Sequence, residues 1–297
     1  MQNGRASRTA LGVAARRAAH QLLDDPRVLN DPIAIPILGN NLQLDYDKHQ
    51  HPYARAFRAF MVARSRYAED NLAEAVTNGV RQYVLLGAGL DTFAYRNPFP
   101  ELRVFEVDFP ATQQWKRDLL REARIAEPAN LTFVPLDFEQ HTLREGLTEA
   151  GFDFNRPAFF AWLGVVPYLT LKAFRATLDL IAAMPSGSGV TFDYALSDED
   201  LSPHKRLMRA ALAERVAAAG EPFRLFFRSE QMDNELKSAG LESARSDRAR
   251  FDRASFDRIE QLDSEDLNAR YFAGRADGLA LPEEGIGKLA SAWVSID

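Results

Sequence analysis

The sequence predicts an α/β protein built on an open, doubly wound sheet of mainly parallel strands. Five short apolar runs alternate with stretches of helical pattern, at 83–86, 103–108, 131–137, 157–163 and 189–194. Strands that alternate with helices form parallel sheets with right-handed crossovers and both faces covered. The first run leads directly into Gly87-Ala88-Gly89, followed by Asp91 and Thr92. A buried strand, a glycine turn and a following helix form the ligand crevice of such sheets.

The elements before and after this core have their own signals. Ser7 is expected to cap a first helix, and a second helix covers 53–78 and ends at Gly79. Within the core, Thr170 is expected to cap one of three connecting helices, at 111–126, 139–150 and 171–183. Beyond residue 194 the pattern predicts two further helices and two final strands, at 197–220, 230–239, 241–247 and 289–295. The stretch 245–260 carries five arginines and four acids, and we expect it to be a solvated face.

Composition excludes several classes of protein. The chain has 297 residues, 46% of them hydrophobic, as in an ordinary globular protein with a sizeable core. It has no cysteine, which excludes disulfides, a thiol nucleophile and cysteine-ligated metal. The net charge of −6 does not favour nucleic-acid binding, and no apolar run is long enough for a membrane span. We therefore expect a cytoplasmic protein that binds neither nucleic acid nor membrane.

The glycine turn does not match the dinucleotide pattern. Gly-x-Gly-x-x-Gly requires a third glycine where this chain has Thr92, which counts against NAD or FAD. S-adenosylmethionine has no phosphates and needs acids for its ribose and adenine. Asp108 and Asp137 end the second and third strands, and are placed for the ribose and the adenine amine. These two acids after a glycine turn favour S-adenosylmethionine.

Arg64 lies within the apolar stripe of the second helix, between Met61 and Ala68. A cation at such a position needs an anionic partner or a route for its head to water. It either forms an ion pair or snorkels to the surface, or it holds an anionic part of the ligand. A guanidinium matches a carboxylate bidentately, so the cofactor's carboxylate is a candidate partner.

The chain resembles the leucine carboxyl methyltransferase-like family of S-adenosylmethionine-dependent methyltransferases, especially a bacterial branch whose members often lack an assigned substrate. The most specific matches are Leu86-Gly-Ala-Gly-Leu-Asp-Thr92 and Phe105-Glu-Val-Asp-Phe-Pro110. Weaker matches extend over nearly the whole chain, at Ser7-Arg-Thr-Ala10, Asn30-Asp-Pro32, Val62-Ala-Arg-Ser-Arg-Tyr67, Tyr95-Arg96, Pro135-Leu-Asp-Phe138, 164–170, Tyr271-Phe272, Arg275 and Asp277-Gly278.

The resemblance implies a class I methyltransferase with a Rossmann-like sheet of about seven strands, the last antiparallel. It implies a single domain over 1–297, with a helical cover at 1–79 and a cofactor-binding core at 80–194. A substrate-covering helical insertion at 195–240 and the final strands at 241–297 complete it. The expected cofactor-binding residues are Arg64 for the carboxylate, Gly87, Ala88, Gly89 and Asp91 at the turn, Asp108 for the ribose, and Asp137 with Phe138 for the adenine. Many family members carry a glutamate for the cofactor's amino group where this chain has Leu163, which leaves only a backbone carbonyl for that contact.

Methyl transfer from a sulfonium is an in-line displacement, to which alignment and water exclusion contribute. A carboxylate acceptor needs no base, whereas a hydroxyl or amine can require one. The sequence shows no obligatory base; Tyr168, Tyr194 and His204 are weak candidates near the ends of strands four and five. We expect no metal site, because His49 and His51 lack a third ligand.

The leading hypothesis is methylation of an oxygen, carboxylate or hydroxyl, of a small molecule. Three alternatives stay open: methylation of a protein C-terminus, cofactor binding without transfer, and a nicotinamide enzyme. The sequence determines neither the acceptor nor the oligomeric state.

Overall fold

The computed structural model describes residues 7–39, 50–137, 141–218, 220–239 and 256–294. These residues form eight α-helices and one sheet of seven strands. The helices are α1 Arg8–Leu23, α2 Pro52–Thr77, α3 Pro110–Glu122, α4 Leu143–Glu149, α5 Leu171–Ala182, α6 Pro203–Ala218, α7 Ser229–Ser238 and α8 Ser264–Tyr271. The strands are β1 Gln82–Leu86, β2 Arg103–Asp108, β3 Leu131–Pro135, β4 Phe159–Trp162, β5 Gly189–Ala195, β6 Phe256–Leu262 and β7 Gly287–Val294.

The sheet has the strand order β3-β2-β1-β4-β5-β7-β6. Neighbours from β3 to β5 are parallel, whereas β7 is antiparallel to both β5 and β6. The order reverses at β1, which has β2 on one side and β4 on the other. The crevice at such a reversal is where open α/β sheets bind ligands, and the turn after β1 lies there. The expectation of a seven-stranded doubly wound sheet with an antiparallel last strand is confirmed.

Alternating residues of the strands build cores on the two faces of the sheet. Val84 and Phe105 pack on the face that α4 and α5 cover, and Tyr83 and Val104 pack on the face beneath α2. All five residues of β1 are buried, as expected of a central strand with both faces covered. The rigid sheet fixes the positions of the strand ends, and therefore of the side chains that follow them.

Two helix caps confirm sequence predictions at the N-terminus of α1 and of α5. The Ser7 side chain accepts the Ala10 N–H at 3.2 Å, and the Thr170 side chain accepts the Ala173 N–H at 3.2 Å. Each bond satisfies an N–H that the first helical turn leaves unpaired. α2 ends just before Gly79, which adopts a φ of +96°.

The structure corrects one local prediction. The glycine turn leads to one 3₁₀ turn at Phe93–Tyr95 rather than to a longer helix, since prolines at 98 and 100 prevent its extension. The charged stretch expected to be a solvated face is described only from residue 256, where it forms the start of β6 at the edge of the sheet, with the Arg258 side chain 53% exposed. Edge strands tolerate charged residues, and Arg258 pairs there with Glu74 on α2 at 2.6 Å. The predicted strand at 241–247 lies outside the described residues, and α8 was not predicted.

None of the helices in the described ranges is both long and apolar enough to cross a membrane.

Candidate cofactor and acceptor site

The glycine turn after β1 has a backbone that only glycine adopts without strain. Gly87 and Gly89 have φ values of +68° and +51°. The N–H groups of Gly87 and Ala88 both donate to the Val107 carbonyl, at 2.8 and 3.1 Å. A methyl group at Gly87 would overlap the side chain of Val165. The turn therefore needs glycine for its conformation and for the close approach of the segment after β4.

Asp108, at the end of β2, holds this turn in place. Its Oδ2 accepts the Gly89 N–H at 2.5 Å, and its Oδ1 accepts the Phe109 N–H at 2.6 Å. Burial raises the pKa of Asp108, while the two N–H groups oppose that change. Each oxygen retains a second lone pair. The carboxylate thus organises the turn and still has acceptor capacity toward the crevice that it lines.

Thr92, at the position of the third glycine of a dinucleotide turn, binds the N-terminal cover. Its hydroxyl donates to Oδ2 of the fully buried Asp31 at 2.7 Å. Arg17 of α1 lies 3.3 Å from the same oxygen and 3.8 Å from Asp91 Oδ2. Burial alone would raise the pKa of Asp91, but Arg17 and Arg96 lower it below its usual value. Sequence reasoning missed Asp31 and Arg17, whose partners are distant in the chain.

Arg64 forms an ion pair at the other side of the turn. Its Nη1 lies 3.1 Å from Oδ2 of Asp193 on β5, and its buried Nε has no hydrogen-bond acceptor. Oδ1 of Asp193 accepts the Gly164 N–H at 2.5 Å. The guanidinium packs against Gly164, where an added methyl group would lie 3.0 Å from Nη1 and Nη2. Of the two alternatives for Arg64, the ion pair is present, and the side chain also lines the cavity described below.

Asp193 lies beside the position where the family's glutamate is missing. In the parallel register of β4 and β5, Trp162 pairs with Phe192. The next residues along the two strands are Leu163 and Asp193. An acid is therefore present one strand away from Leu163, at the same level of the sheet. Sequence reasoning missed Asp193, although an acid near the end of a predicted strand was the signal it used for Asp108.

A single cavity of about 1740 Å³ connects these groups. α1, α2 and α6 line it together with the carboxyl ends of β1, β2, β4 and β5, and Asp91, Asp137 and Leu163 also face it. Phe138 lies outside the described residues. Drug-sized ligands occupy roughly 300–1,000 Å³, so this cavity has room for a cofactor and a second molecule.

The three weak catalytic candidates have different surroundings. Tyr168 lines the cavity, and burial raises its pKa to about 12. The Tyr194 ring also reaches the cavity, but its hydroxyl donates to the Gln261 side chain. His204 is exposed on α6 and is outside the cavity lining. Of the three, Tyr168 lines the cavity with its hydroxyl hydrogen-bonded to Thr9, another cavity residue.

The strand order, the antiparallel β7 and the acid-held turn at the switch point define a class I S-adenosylmethionine-dependent methyltransferase. Residues 10–182 match the model of the leucine carboxyl methyltransferase family, and the chain belongs to that family.

Relatives and a solved structure agree with this assignment. A Bacillus subtilis (strain 168) protein named "Putative S-adenosyl-L-methionine-dependent methyltransferase YktD" is 32% identical over 94% of this chain and 96% of its own length. A Mycobacterium avium (strain 104) protein with the same description is 31% identical over 71% of each chain. A Thermobifida fusca crystal structure, described as "a putative methyltransferase", matches with a TM-score of 0.52 and 17% identity, over 88% of this chain and 92% of that one. The last similarity concerns the fold alone.

Proposed function

We propose that this enzyme transfers a methyl group from S-adenosylmethionine to an oxygen, carboxylate or hydroxyl, of a small molecule. The observation that carries the proposal is the cavity itself, which extends from the glycine turn into an apolar, aromatic chamber. Phe57, Phe60, Met208, Leu212 and Phe223 line that chamber. A mainly apolar lining with a few polar groups is typical of small-molecule sites.

The residues around the turn fit S-adenosylmethionine. When bound, the cofactor supplies a methyl group already activated by a sulfonium. Nε of Arg64, which has no acceptor, and Nη2 can donate together to a carboxylate. The carboxylate of Asp108 has lone pairs that can accept from ribose hydroxyls. Asp137 lines the cavity beyond β3, where the adenine amine would need an acceptor. Asp193 replaces the missing glutamate as the acidic partner of the cofactor's ammonium group.

A contact between distant parts of the chain lies in the cavity lining. The Thr9 hydroxyl at the start of α1 donates to the carboxylate of Glu221, in the connection after α6. Both residues line the cavity, so their bond joins the N-terminal cover to the insertion beside it. A cavity lined by elements that contact each other supports a small acceptor over a folded protein.

The polar groups of the chamber favour an acceptor that is ionised without help. Burial raises the pKa of Tyr168 to about 12, so its hydroxyl stays protonated at neutral pH. We propose that it donates a hydrogen bond to the acceptor in exchange for its bond with Thr9, and that it does not act as a base. A carboxylate carries its charge at neutral pH and needs only alignment. For a hydroxyl acceptor we propose Glu221 as the assisting base, since it lines the cavity close to Tyr168.

Labelled cofactor distinguishes the possible methylated atoms. The enzyme is incubated with methyl-tritiated S-adenosylmethionine and separate pools of carboxylic acids, phenols, alcohols and amines. Methyl esters release volatile methanol in mild alkali, whereas ethers and methylamines keep their label. We expect label in the acid or hydroxyl pools and none with Asp108→Ala. Label confined to amines, or to added protein, would contradict the proposal.

A further inference from the structure

Two arginines reach the acceptor chamber without a carboxylate partner. Arg16 on α1 and Arg215 on α6 both line the cavity. Within the described ranges, no acid lies within ion-pair distance of either guanidinium. Arg16 donates from Nη1 to the Gly12 carbonyl at 2.7 Å, but its buried Nε has no acceptor.

Two buried arginines of the neighbouring helix α2 form ion pairs with carboxylates. Arg58 forms a bidentate pair with Asp24, with both distances 2.7 Å, and Arg64 pairs with Asp193. Arg16 has no such carboxylate partner: burial lowers its pKa, Tyr53 opposes this change in part, and the positive charges of Arg215 and Arg58 lower the pKa further. A desolvated cation with unused donors is costly unless an anion binds it. The uncompensated charge is therefore a feature of this chamber and not of buried arginines generally in this fold.

Both cations lie against one pair of stacked aromatic rings. The rings of Tyr53 and Phe57 are parallel within 8°, with centroids 6.2 Å apart. The guanidinium carbon of Arg16 lies 4.6 Å from the Phe57 centroid, and that of Arg215 lies 5.7 Å from the Tyr53 centroid. Cation–π contacts orient guanidinium groups but leave their N–H donors free. Two arginines from two helices thus converge on one aromatic surface.

The inner face of α6 continues the same combination of apolar and basic groups. Lys205, Met208, Leu212 and Arg215 line the cavity at spacings of three and four residues, which place them on one side of the helix. Lys205 is only 9% exposed, and no acid of the described ranges pairs with it. An apolar ligand that packs against Met208 and Leu212 would therefore have Lys205 on one side and Arg215 on the other.

This cluster is separate from the cofactor residues. Phe57, beneath Arg16, precedes Arg64 by seven residues on α2, which corresponds to about 10 Å along the helix axis. An anion at Arg16 and Arg215 would therefore not be the cofactor's carboxylate at Arg64.

We propose that Arg16 and Arg215 form an anion-binding subsite, and that the methyl acceptor is an apolar or aromatic molecule carrying an anionic group. This inference rests on the proposed function, since it assigns the chamber to the acceptor. Guanidinium pairs recognise carboxylate, phosphate and sulfonate through the same charge-assisted hydrogen bonds. The aromatic surface beneath them selects an anion attached to a flat or apolar body over a free inorganic ion.

Matched fluorescent probes test the subsite without knowledge of the acceptor. Anilinonaphthalene sulfonate and phenylnaphthylamine share the same aromatic rings, but only the first carries a sulfonate. Both are titrated into the full chain with the cofactor site saturated by S-adenosylhomocysteine. We expect the anionic probe to bind at least about tenfold more tightly, as for one charge-assisted hydrogen-bonded contact. Arg16→Met with Arg215→Met should remove this preference and leave the affinity for the neutral probe within about twofold.

Arg121→Met is the control for the change of charge, because Arg121 is a surface residue on α3 whose side chain is 71% exposed. If Arg16→Met disturbs folding, Arg215→Met alone is used, because Arg215 is at an exposed position. This single variant should also reduce the preference for the anionic probe. Equal affinities for the two probes, or an unchanged preference in the double variant, would overturn the inference. Free phosphate that displaces the anionic probe as effectively as an aromatic carboxylate would also overturn it. A labelled product that resists alkali and carries its methyl on nitrogen would refute the proposed function but not this subsite.

Discussion

At the residue scale, Asp108 combines a structural and a binding task. It accepts two backbone N–H groups that shape the glycine turn, and it lines the cavity beside that turn. Removing the side chain therefore disturbs the turn and removes the carboxylate that we propose as the acceptor for the ribose hydroxyls.

We predict that Asp108→Ala weakens S-adenosylhomocysteine binding by at least about 100-fold, as the loss of two charge-assisted hydrogen bonds implies. Calorimetric titration measures the effect. Asp118→Asn is the control, because Asp118 is a surface acid on α3. Wild-type affinity in Asp108→Ala would show that the ribose assignment is wrong.

Asp193 and Leu163 provide a second test at this scale, since they occupy equivalent levels of adjacent strands. Asp193→Asn removes the negative charge beside Arg64, and we expect S-adenosylhomocysteine to bind about tenfold more weakly, as for one lost charge-assisted bond. Leu163→Glu in that background returns an acid to the neighbouring strand and should recover most of the affinity. If Asp193→Asn binds normally, Asp193 is only a structural partner of Arg64.

Sequence patterns identify some of these residues and not others for a physical reason. Gly87, Gly89 and Asp108 were predicted because strand ends and turn chemistry are local signals. Arg64 and Asp193 form an ion pair although they are 129 positions apart in the chain. Arg16 on α1 lies close enough to Arg215 on α6 for its pKa to be affected. No local sequence pattern shows which basic side chains form ion pairs in the folded protein. The sequence alone therefore allows two interpretations of Arg64.

At the element scale, α1 and α2 are joined by a buried polar cluster. Arg58 of α2 binds Asp24, just after α1, and His20 Nδ1 lies 2.8 Å from the same carboxylate. His20 Nε2 accepts the Val28 N–H at 3.0 Å, so its proton is on Nδ1 and donates to Asp24. This cluster positions α1, and with it Arg16, over the cavity.

The cluster makes stability depend on pH in a defined direction. Burial would raise the pKa of Asp24, but the bonds from Arg58 and His20 hold it at about 2. The folded-state pKa is thus below the unfolded value of about 3.9, so this stabilisation is present above about pH 4 and is lost as the pH falls toward 2.

We predict that Asp24→Asn lowers the free energy of unfolding at pH 7. Because the stabilisation by Asp24 is partly lost on acidification, the difference in free energy of unfolding between wild type and variant should be about 1 kcal/mol smaller at pH 3 than at pH 7. Urea unfolding across this range measures the difference, with Glu122→Gln, an exposed acid at the end of α3, as the control. A difference in free energy of unfolding that stays constant or grows on acidification would contradict a lowered pKa for Asp24.

Helices and strands differed in how well the sequence predicted them. The cap residues Ser7 and Thr170 predicted the starts of α1 and α5 because a cap is a short-range bond. β6 was missed because an edge strand has one solvated side and little apolar periodicity. Its charged residues find partners on α2 and α8, which sequence spacing does not reveal.

At the scale of the whole molecule, the fold places the proposed binding groups of the strands at one edge of the sheet. The glycine turn, Asp108, Leu163 and Asp193 all follow or end strands at their carboxyl ends. The N-terminal cover and the insertion contact each other through Thr9 and Glu221, which both line the cavity at this edge. The sheet topology was predictable from alternation and family resemblance. The contact between the cover and the insertion was not, because it joins residues 212 positions apart.

With Thr92 in place of the third glycine, this edge of the sheet is suited to S-adenosylmethionine and not to a dinucleotide. Calorimetric titration of the full chain with S-adenosylhomocysteine and, separately, with NAD distinguishes the two ligands. We expect one S-adenosylhomocysteine bound per chain and no heat of binding with NAD. Saturable binding of NAD with none of S-adenosylhomocysteine would contradict this expectation.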